Sequence, residues 1–132
     1  MADRRKALQV ALLVIGVASL LVYPLMLVWP AGWSWQPGQH EYEQMIIGIY
    51  ATLGVFLIRA ASAPEEHRSL IWFTVWSSVV HGGIMAAQAF VDPAERGHLL
   101  GDVPALFLIA VVLGVLAPRR ATTAGGAALR AA

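Results

Sequence analysis

Charged residues avoid four long stretches of this chain. Lys, Arg, Asp and Glu are absent from residues 7–40, 44–58, 69–91 and 103–118. The chain is 58% hydrophobic and 13% charged, whereas soluble domains carry about 25% charged residues. This pattern favours a polytopic membrane protein and excludes a soluble globule, a disordered chain and a nucleic-acid binder, which needs a basic face. Because cysteine is absent, disulfides and thiolate metal sites are excluded as well.

The uncharged stretches predict an all-α fold, an integral membrane four-helix bundle. A helix needs about 20 residues to cross roughly 30 Å of hydrocarbon. The first apolar stretch exceeds the roughly 7–15 residues of a signal-peptide core, so we expect it to be retained. The predicted domain covers residues 1–118, with a disordered cytoplasmic tail at 119–132. Its spans cover about residues 7–29, 41–60, 63–90 and 99–117.

Local signals mark the helix ends. Pro24 lacks a backbone N–H, so it is expected to kink the first span near its outer end. The sequence Ser62-Ala63-Pro64-Glu65 has the S-x-x-E capping-box pattern and predicts the start of the third helix. Asp92 opens the last region in the same way. There, either a helix begins near Pro93 and is disturbed around Gly101 and Pro104, or a short surface helix precedes a short span.

Basic residues are distributed unequally between the two sides of a four-span arrangement. Only Arg96 falls on one side. The other side holds Arg4, Arg5, Lys6, Arg59, Arg68, Arg119, Arg120 and Arg130. The positive-inside rule therefore predicts that both termini are cytoplasmic, in a multi-pass protein of a bacterial inner membrane. The tryptophan-rich loop at residues 29–35 then forms an aromatic belt on the outer side.

Polar residues inside the third span step along one helix face. The stripe consists of Thr74, Ser78, His81, Met85 and Gln88. When the depth of each residue is counted from the outer end of its span, His81 lies near the level of Tyr50 in the second span and of Ser19 in the first. His81 is either a ligand or proton-relay residue, or a hydrogen-bonding partner that fixes helix packing. The candidate ligand or polar-cluster residues are Glu43, Tyr50, Ser78, His81 and Gln88.

Glu43 begins the second span on the same face as Tyr50. It forms either an acidic mouth suited to a cation, a proton or an amine, or a carboxylate stabilised by the helix dipole. His98 and Asp102 lie four residues apart and could bind a divalent metal such as zinc together with Glu43. The alternative is that Asp102 is the N-cap of the last helix.

Three stretches of the chain have a distinctive order of residues. They are Tyr42-Glu43-Gln44-Met45-x-x-Gly48-Ile49-Tyr50, Leu70-Ile71-Trp72-Phe73-x-x-Trp76-Ser77-x-x-x-His81 and Arg96-Gly97-His98-Leu99-x-Gly101-Asp102-Val103-Pro104. Together they resemble an uncharacterised family of small four-span bacterial membrane proteins. The resemblance covers about residues 20–118 and implies a membrane location and a four-helix fold, but no activity.

Size favours a non-enzymatic accessory or self-associating membrane component, because four short spans without inverted repeats do not enclose a transport path. Its partners are then the lipid bilayer and a second copy or another membrane protein, and no nucleic acid. The alternative is an outward-facing site of spans two to four for an ion, a proton or a cofactor (metal, haem or quinone). An enzyme is less favoured, because depth separates Glu43 from His81 by roughly 10 Å.

Overall fold

The computed structural model describes residues 2–29 and 40–118, with only the backbone at 40, 41 and 43. These residues form α-helices and one 3₁₀ helix without any strand, which confirms the all-α prediction for this part of the chain. The predicted tryptophan belt beyond Trp29 and the tail at 119–132 lie outside the described residues. The helices are α1 (Ala2–Leu20), α2 (Val22–Val28), α3 (His40–Ala60), α4 (Arg68–Val91), the 3₁₀ helix (Pro93–Leu99) and α5 (Asp102–Leu116).

The helices pack as two pairs. Helix α1 lies mainly against α3, and α4 lies mainly against α5, while a contact between α1 and α5 joins the pairs. The 3₁₀ helix packs on α4. One apolar cluster draws on all four long helices, and its fully buried members include Leu12, Leu57, Ile71 and Leu113. A second, smaller cluster contains Met85, Val103 and Leu106.

Both chain ends of the described bundle lie together. The Arg4 guanidinium donates hydrogen bonds to the carbonyl oxygens of Val115 at 2.6 Å and Ala117 at 3.1 Å. It thereby satisfies carbonyls that the end of α5 leaves without partners in the helix. We call this the terminal end of the bundle. The opposite end contains the 3₁₀ helix and the start of α5.

The predicted kink at Pro24 is confirmed. Helices α1 and α2 are separated at Leu21 and bent by 55° relative to each other. Pro24 has no N–H to donate to the carbonyl of Leu20, four residues earlier, so the helical ladder is interrupted there. Beyond the bend, α2 contacts α3.

Helices α1 and α3 approach closely at two glycines. A Cβ atom added to Gly54 would lie 2.6 Å from the carbonyl oxygen of Gly16. One added to Gly16 would lie 2.8 Å from the carbonyl oxygen of Gly54. The sequence suggests a close-packing role for Gly54, as small residues have in membrane helix interfaces. Gly48 does not share it, since a Cβ there would meet no described atom within 4 Å.

The capping-box prediction is wrong for the third helix. Helix α4 begins at Arg68, and its N-cap His67 makes no side-chain capping bond. The Ser62 hydroxyl instead donates to the Arg59 carbonyl at 2.8 Å, where it serves the end of α3. At Asp92 the N-cap part of the prediction is confirmed, since its carboxylate accepts the Ala94 N–H at 2.9 Å, whereas the Asp92 N–H donates to the Gln88 carbonyl and not to Glu95.

The last element begins at Pro93 and is interrupted at residues 100 and 101. The residues Arg68–Val91 and Pro93–Leu116 form two stretches long and apolar enough to cross a membrane. The bent pair α1 and α2 makes a third if it is counted as one span. The described part of α3 contributes a shorter apolar segment, Gln44–Ala60.

Candidate functional site

A tyrosine and a histidine meet in the half of the bundle away from the terminal end. The Tyr50 hydroxyl on α3 and His81 Nδ1 on α4 lie 2.7 Å apart, a short hydrogen bond. Their rings are tilted, with centroids 5.8 Å apart. This contact is one that the depth comparison predicts. Because the Tyr50 hydroxyl can donate or accept, either neutral tautomer of His81 can take part.

The pair forms the polar wall of a cavity of about 130 Å³. Each of the five α-helices contributes to the lining. Most of the surface is apolar, with Leu25, Ile46 and Leu106 among the lining residues. Besides Tyr50 and His81, the polar lining residues are Ser19 and Asp102. Ser19 is occupied, since its hydroxyl donates to the Ile15 carbonyl at 2.9 Å.

Asp102 connects this cavity to a buried histidine. His98 is 3% exposed, and its Nδ1 lies 3.1 and 3.0 Å from the two carboxylate oxygens of Asp102. Its Nε2 lies 3.1 Å from Oε2 of Glu95. Carboxylates accept hydrogen bonds, so a His98 ring that carries its proton on Nδ1 can donate to Asp102 while its Nε2 faces Glu95. We call Glu95, His98 and Asp102 the carboxylate–histidine triad.

The interpretation of Asp102 as an N-cap is wrong. Gly101 occupies the N-cap position of α5, and Asp102 is the first helical residue. The Asp102 carboxylate is engaged with His98, four residues earlier, so it holds the 3₁₀ helix against the start of α5.

A family model matches residues 2–130, which is nearly the whole chain. The chain belongs to DUF6632, a family of unknown function. The resemblance to an uncharacterised family is thereby confirmed, while the membrane and bacterial attributes attached to it stay predictions. No curated protein and no solved structure matches the chain at a significant level.

The polar stripe of this DUF6632 protein divides into three parts. Thr74 and Ser78 are buried in the bundle and do not line the cavity, and the Thr74 hydroxyl donates to the Leu70 carbonyl at 2.9 Å. His81 and Met85 line the cavity. Gln88 is exposed, outside the cavity. The structure therefore brings Tyr50 and His81 together but not Ser78 and Gln88.

The metal hypothesis has two of its three residues in contact. His98 and Asp102 are hydrogen-bonded to each other, while the side chain of Glu43 is not among those that the structure describes. Among the side chains that the structure describes, no group of three or more His, Asp or Glu residues is arranged to hold a metal ion. The role of Glu43 therefore stays a prediction.

Sequence reasoning missed two parts of the site. The spacing of Glu95 carries a signal, since it lies three residues before His98 and residues three apart share a helix face. No feature of the sequence indicates that apolar residues of α2 and α5, such as Leu25 and Leu106, line a cavity. In a chain this apolar, a cavity-lining leucine does not differ in sequence from a lipid-facing one.

Proposed function

We propose that this DUF6632 protein crosses a membrane four times, with α3 as the span beyond the two or three recognised by length and apolarity. Helix α3 has 21 residues, and a helix of that length reaches about 31 Å. The contact of Arg4 with Ala117 supports an even number of crossings. The excess of basic residues on this side supports a cytoplasmic location for the terminal end, in a bacterial inner membrane, by the positive-inside rule.

In this arrangement the protein is a binding component of the membrane. Its ligand is a small lipophilic molecule with one six-membered ring and a carbonyl or hydroxyl oxygen, such as a quinone head group or a phenol. The observation that carries the proposal is the cavity of about 130 Å³, apolar except for Tyr50, His81, Ser19 and Asp102. An apolar protein cavity of roughly 150 Å³ binds benzene.

The chemistry of the lining limits the alternatives. The Tyr50–His81 pair offers a hydrogen bond to one ligand oxygen, while the apolar walls contact the ring. A single well-placed polar group in an apolar cavity is typical of small-molecule sites. A haem macrocycle is several times larger than one ring, so the volume favours a single-ring ligand over haem.

Replacing Tyr50 by phenylalanine is expected to weaken binding of 4-nitrophenol, used as the probe, by about fivefold. One hydrogen bond to the probe is worth about 1 kcal/mol, and 1.4 kcal/mol corresponds to tenfold. The binding is measured by absorbance titration of detergent-solubilised protein. Tyr42→Phe is the matched control on α3, because Tyr42 is 62% exposed and does not line the cavity. Absence of saturable binding, or equal effects of the two variants, would contradict the proposal.

Self-association is a second candidate, favoured by an open face on α4. A Cβ on Gly83 would meet no described atom within 4 Å, and Ala87, one turn later, is exposed. Two small residues at this spacing let membrane helices approach closely. Another membrane protein could use the same face, which would make the chain an accessory subunit.

If a second copy binds there, Gly83→Leu is expected to convert dimers to monomers. The bulky side chain would hold the two helix backbones apart. Light scattering of protein eluting from a sizing column measures the mass. Ile84→Leu, at a neighbouring 55% exposed position, keeps the volume and is expected to leave the mass unchanged. A wild-type protein that is already monomeric excludes this candidate.

A further inference from the structure

The carboxylate–histidine triad leads from the surface of the bundle to the cavity. Side-chain exposure is 22% at Glu95, 3% at His98 and 14% at Asp102. Glu95 is therefore the most exposed member, and Asp102 is the member that lines the cavity. His98 lies between them with one ring nitrogen on each carboxylate.

We infer that Glu95, His98 and Asp102 form a proton-access path between the opposite end of the bundle and the cavity. The inference rests on the proposed function and narrows its ligand class. The ligand is one that gains or loses a proton on an oxygen while it is bound, as phenols and hydroquinones do.

The geometry supports a path because the three titratable groups lie in sequence at short distances. Imidazole can accept a proton on one nitrogen while releasing one from the other. A purely structural contact between the 3₁₀ helix and α5 needs only the hydrogen bonds from His98 to Asp102. The additional contact of 3.1 Å between Nε2 and Oε2 of Glu95, on the same short helix as His98, extends the connection to the most exposed of the three side chains.

One proton moves in each transfer, and no electrons move. The His98 ring begins neutral with its proton on Nδ1, and Asp102 begins as a carboxylate. Glu95 takes a proton from water and passes it to the unprotonated Nε2 of His98, while Nδ1 releases its own proton to Asp102. The charge on His98 is the same before and after, and the proton has moved from Glu95 to Asp102. Asp102 then donates it to the oxygen of the ligand, and the reverse sequence removes a proton.

The surroundings of the triad are consistent with a path that ends in the cavity. Of the titratable side chains that the structure describes on α3, α4 and α5, Tyr50, His81 and Asp102 line the cavity. Asp92 and Arg96 flank the triad on the surface side, and the Asp92 carboxylate accepts the N–H of Ala94. Toward the terminal end, the larger apolar cluster fills the bundle.

The test uses 4-nitrophenol as the probe, because its absorbance reports its protonation state. Detergent-solubilised protein loaded with the probe is mixed with buffer of another pH, and the rate of absorbance change is followed. In His98→Gln, an amide replaces the ring and cannot carry a proton. We expect protonation of the bound probe to be about 100-fold slower, the typical contribution of one proton-transferring group. We expect affinity to stay within about twofold, because His98 does not line the cavity.

Two further variants separate proton transfer from structure. His67→Gln makes the same substitution in the turn before α4, near the terminal end, and should leave the rate unchanged. Glu95→Gln keeps the shape of the side chain but removes the entry carboxylate, and should slow protonation even if His98→Gln fails to fold. A rate equal to that of wild type in both His98→Gln and Glu95→Gln overturns the path.

A failure of the proposed ligand class can be distinguished from a failure of the proton-access path. If 4-nitrophenol does not bind the wild-type protein, the proposed function fails for this ligand class. The path is then judged on the free protein, by measuring with NMR the exchange of the Tyr50–His81 hydrogen-bond proton with water. Slower exchange in His98→Gln than in His67→Gln supports the path, and equal rates overturn it.

Discussion

Gly54→Ala is expected to destabilise the protein by about 2–3 kcal/mol, in the range measured for overpacked interiors. The new methyl group would lie 2.6 Å from the Gly16 carbonyl oxygen and 3.2 Å from the Ser19 Cβ. The first neighbour is backbone and cannot move aside, so α1 and α3 must separate. Unfolding of the detergent-solubilised protein, followed by circular dichroism during titration with denaturing detergent, measures the change.

Gly48→Ala is the control because it makes the same change on the same helix. No described atom lies within 4 Å of the added carbon, so only the intrinsic preference of helices for alanine remains, worth about 1 kcal/mol. The two variants are thus expected to have opposite signs. Stabilisation by Gly54→Ala would contradict the close approach of the two helices.

The sequence predicted the parts of this fold that follow from backbone hydrogen bonding and from the cost of burying a charge. Uncharged stretches predict apolar helices because a charge inside hydrocarbon is costly. Pro24 predicts the bend because a missing N–H interrupts any helix in the same way. The two expectations depend on local chemistry, so they needed no knowledge of which helices are neighbours.

The first residue of a helix and the hydrogen-bond partner of a polar side chain were less predictable, because one side chain can bond to either of two neighbouring segments. Ser62 matches a capping box, yet its hydroxyl serves the preceding helix, since the turn after α3 brings the Arg59 carbonyl within reach. Asp102 resembles an N-cap, yet its carboxylate binds His98. Choosing between these outcomes requires the tertiary arrangement around each side chain.

The candidate site was predictable only where polar groups mark it. Tyr50 and His81 could be paired by comparing their depths along two spans, because a polar group within a span tends to face the bundle interior. The same reasoning included Gln88, which is exposed although the next residue of α4, Ala89, is buried. The cavity exists because the apolar side chains around it do not fill the space between the helices. The hydrophobic periodicity of the sequence does not reveal such incomplete packing.

Ala105→Leu is expected to weaken binding of 4-nitrophenol by at least about 100-fold, the equivalent of roughly 2.8 kcal/mol. Ala105 lines the cavity on α5, and leucine adds three carbon atoms to a space of about 130 Å³. Filling an existing cavity commonly stabilises a protein, so the free energy of unfolding should stay the same or rise. Binding and stability are therefore expected to change independently. Absorbance titration and denaturing-detergent unfolding measure the two quantities.

The matched control is Ala87→Leu on α4. Ala87 is exposed and does not line the cavity, so the same added volume should leave binding of the probe unchanged. Because Ala105→Leu leaves Tyr50 and His81 in place, its effect separates the volume of the cavity from the hydrogen bond that Tyr50→Phe removes. Full binding by Ala105→Leu would show that the probe binds elsewhere, for example on the exposed apolar faces. Loss of binding in both alanine variants would indicate a site that both helices reach from the lipid side.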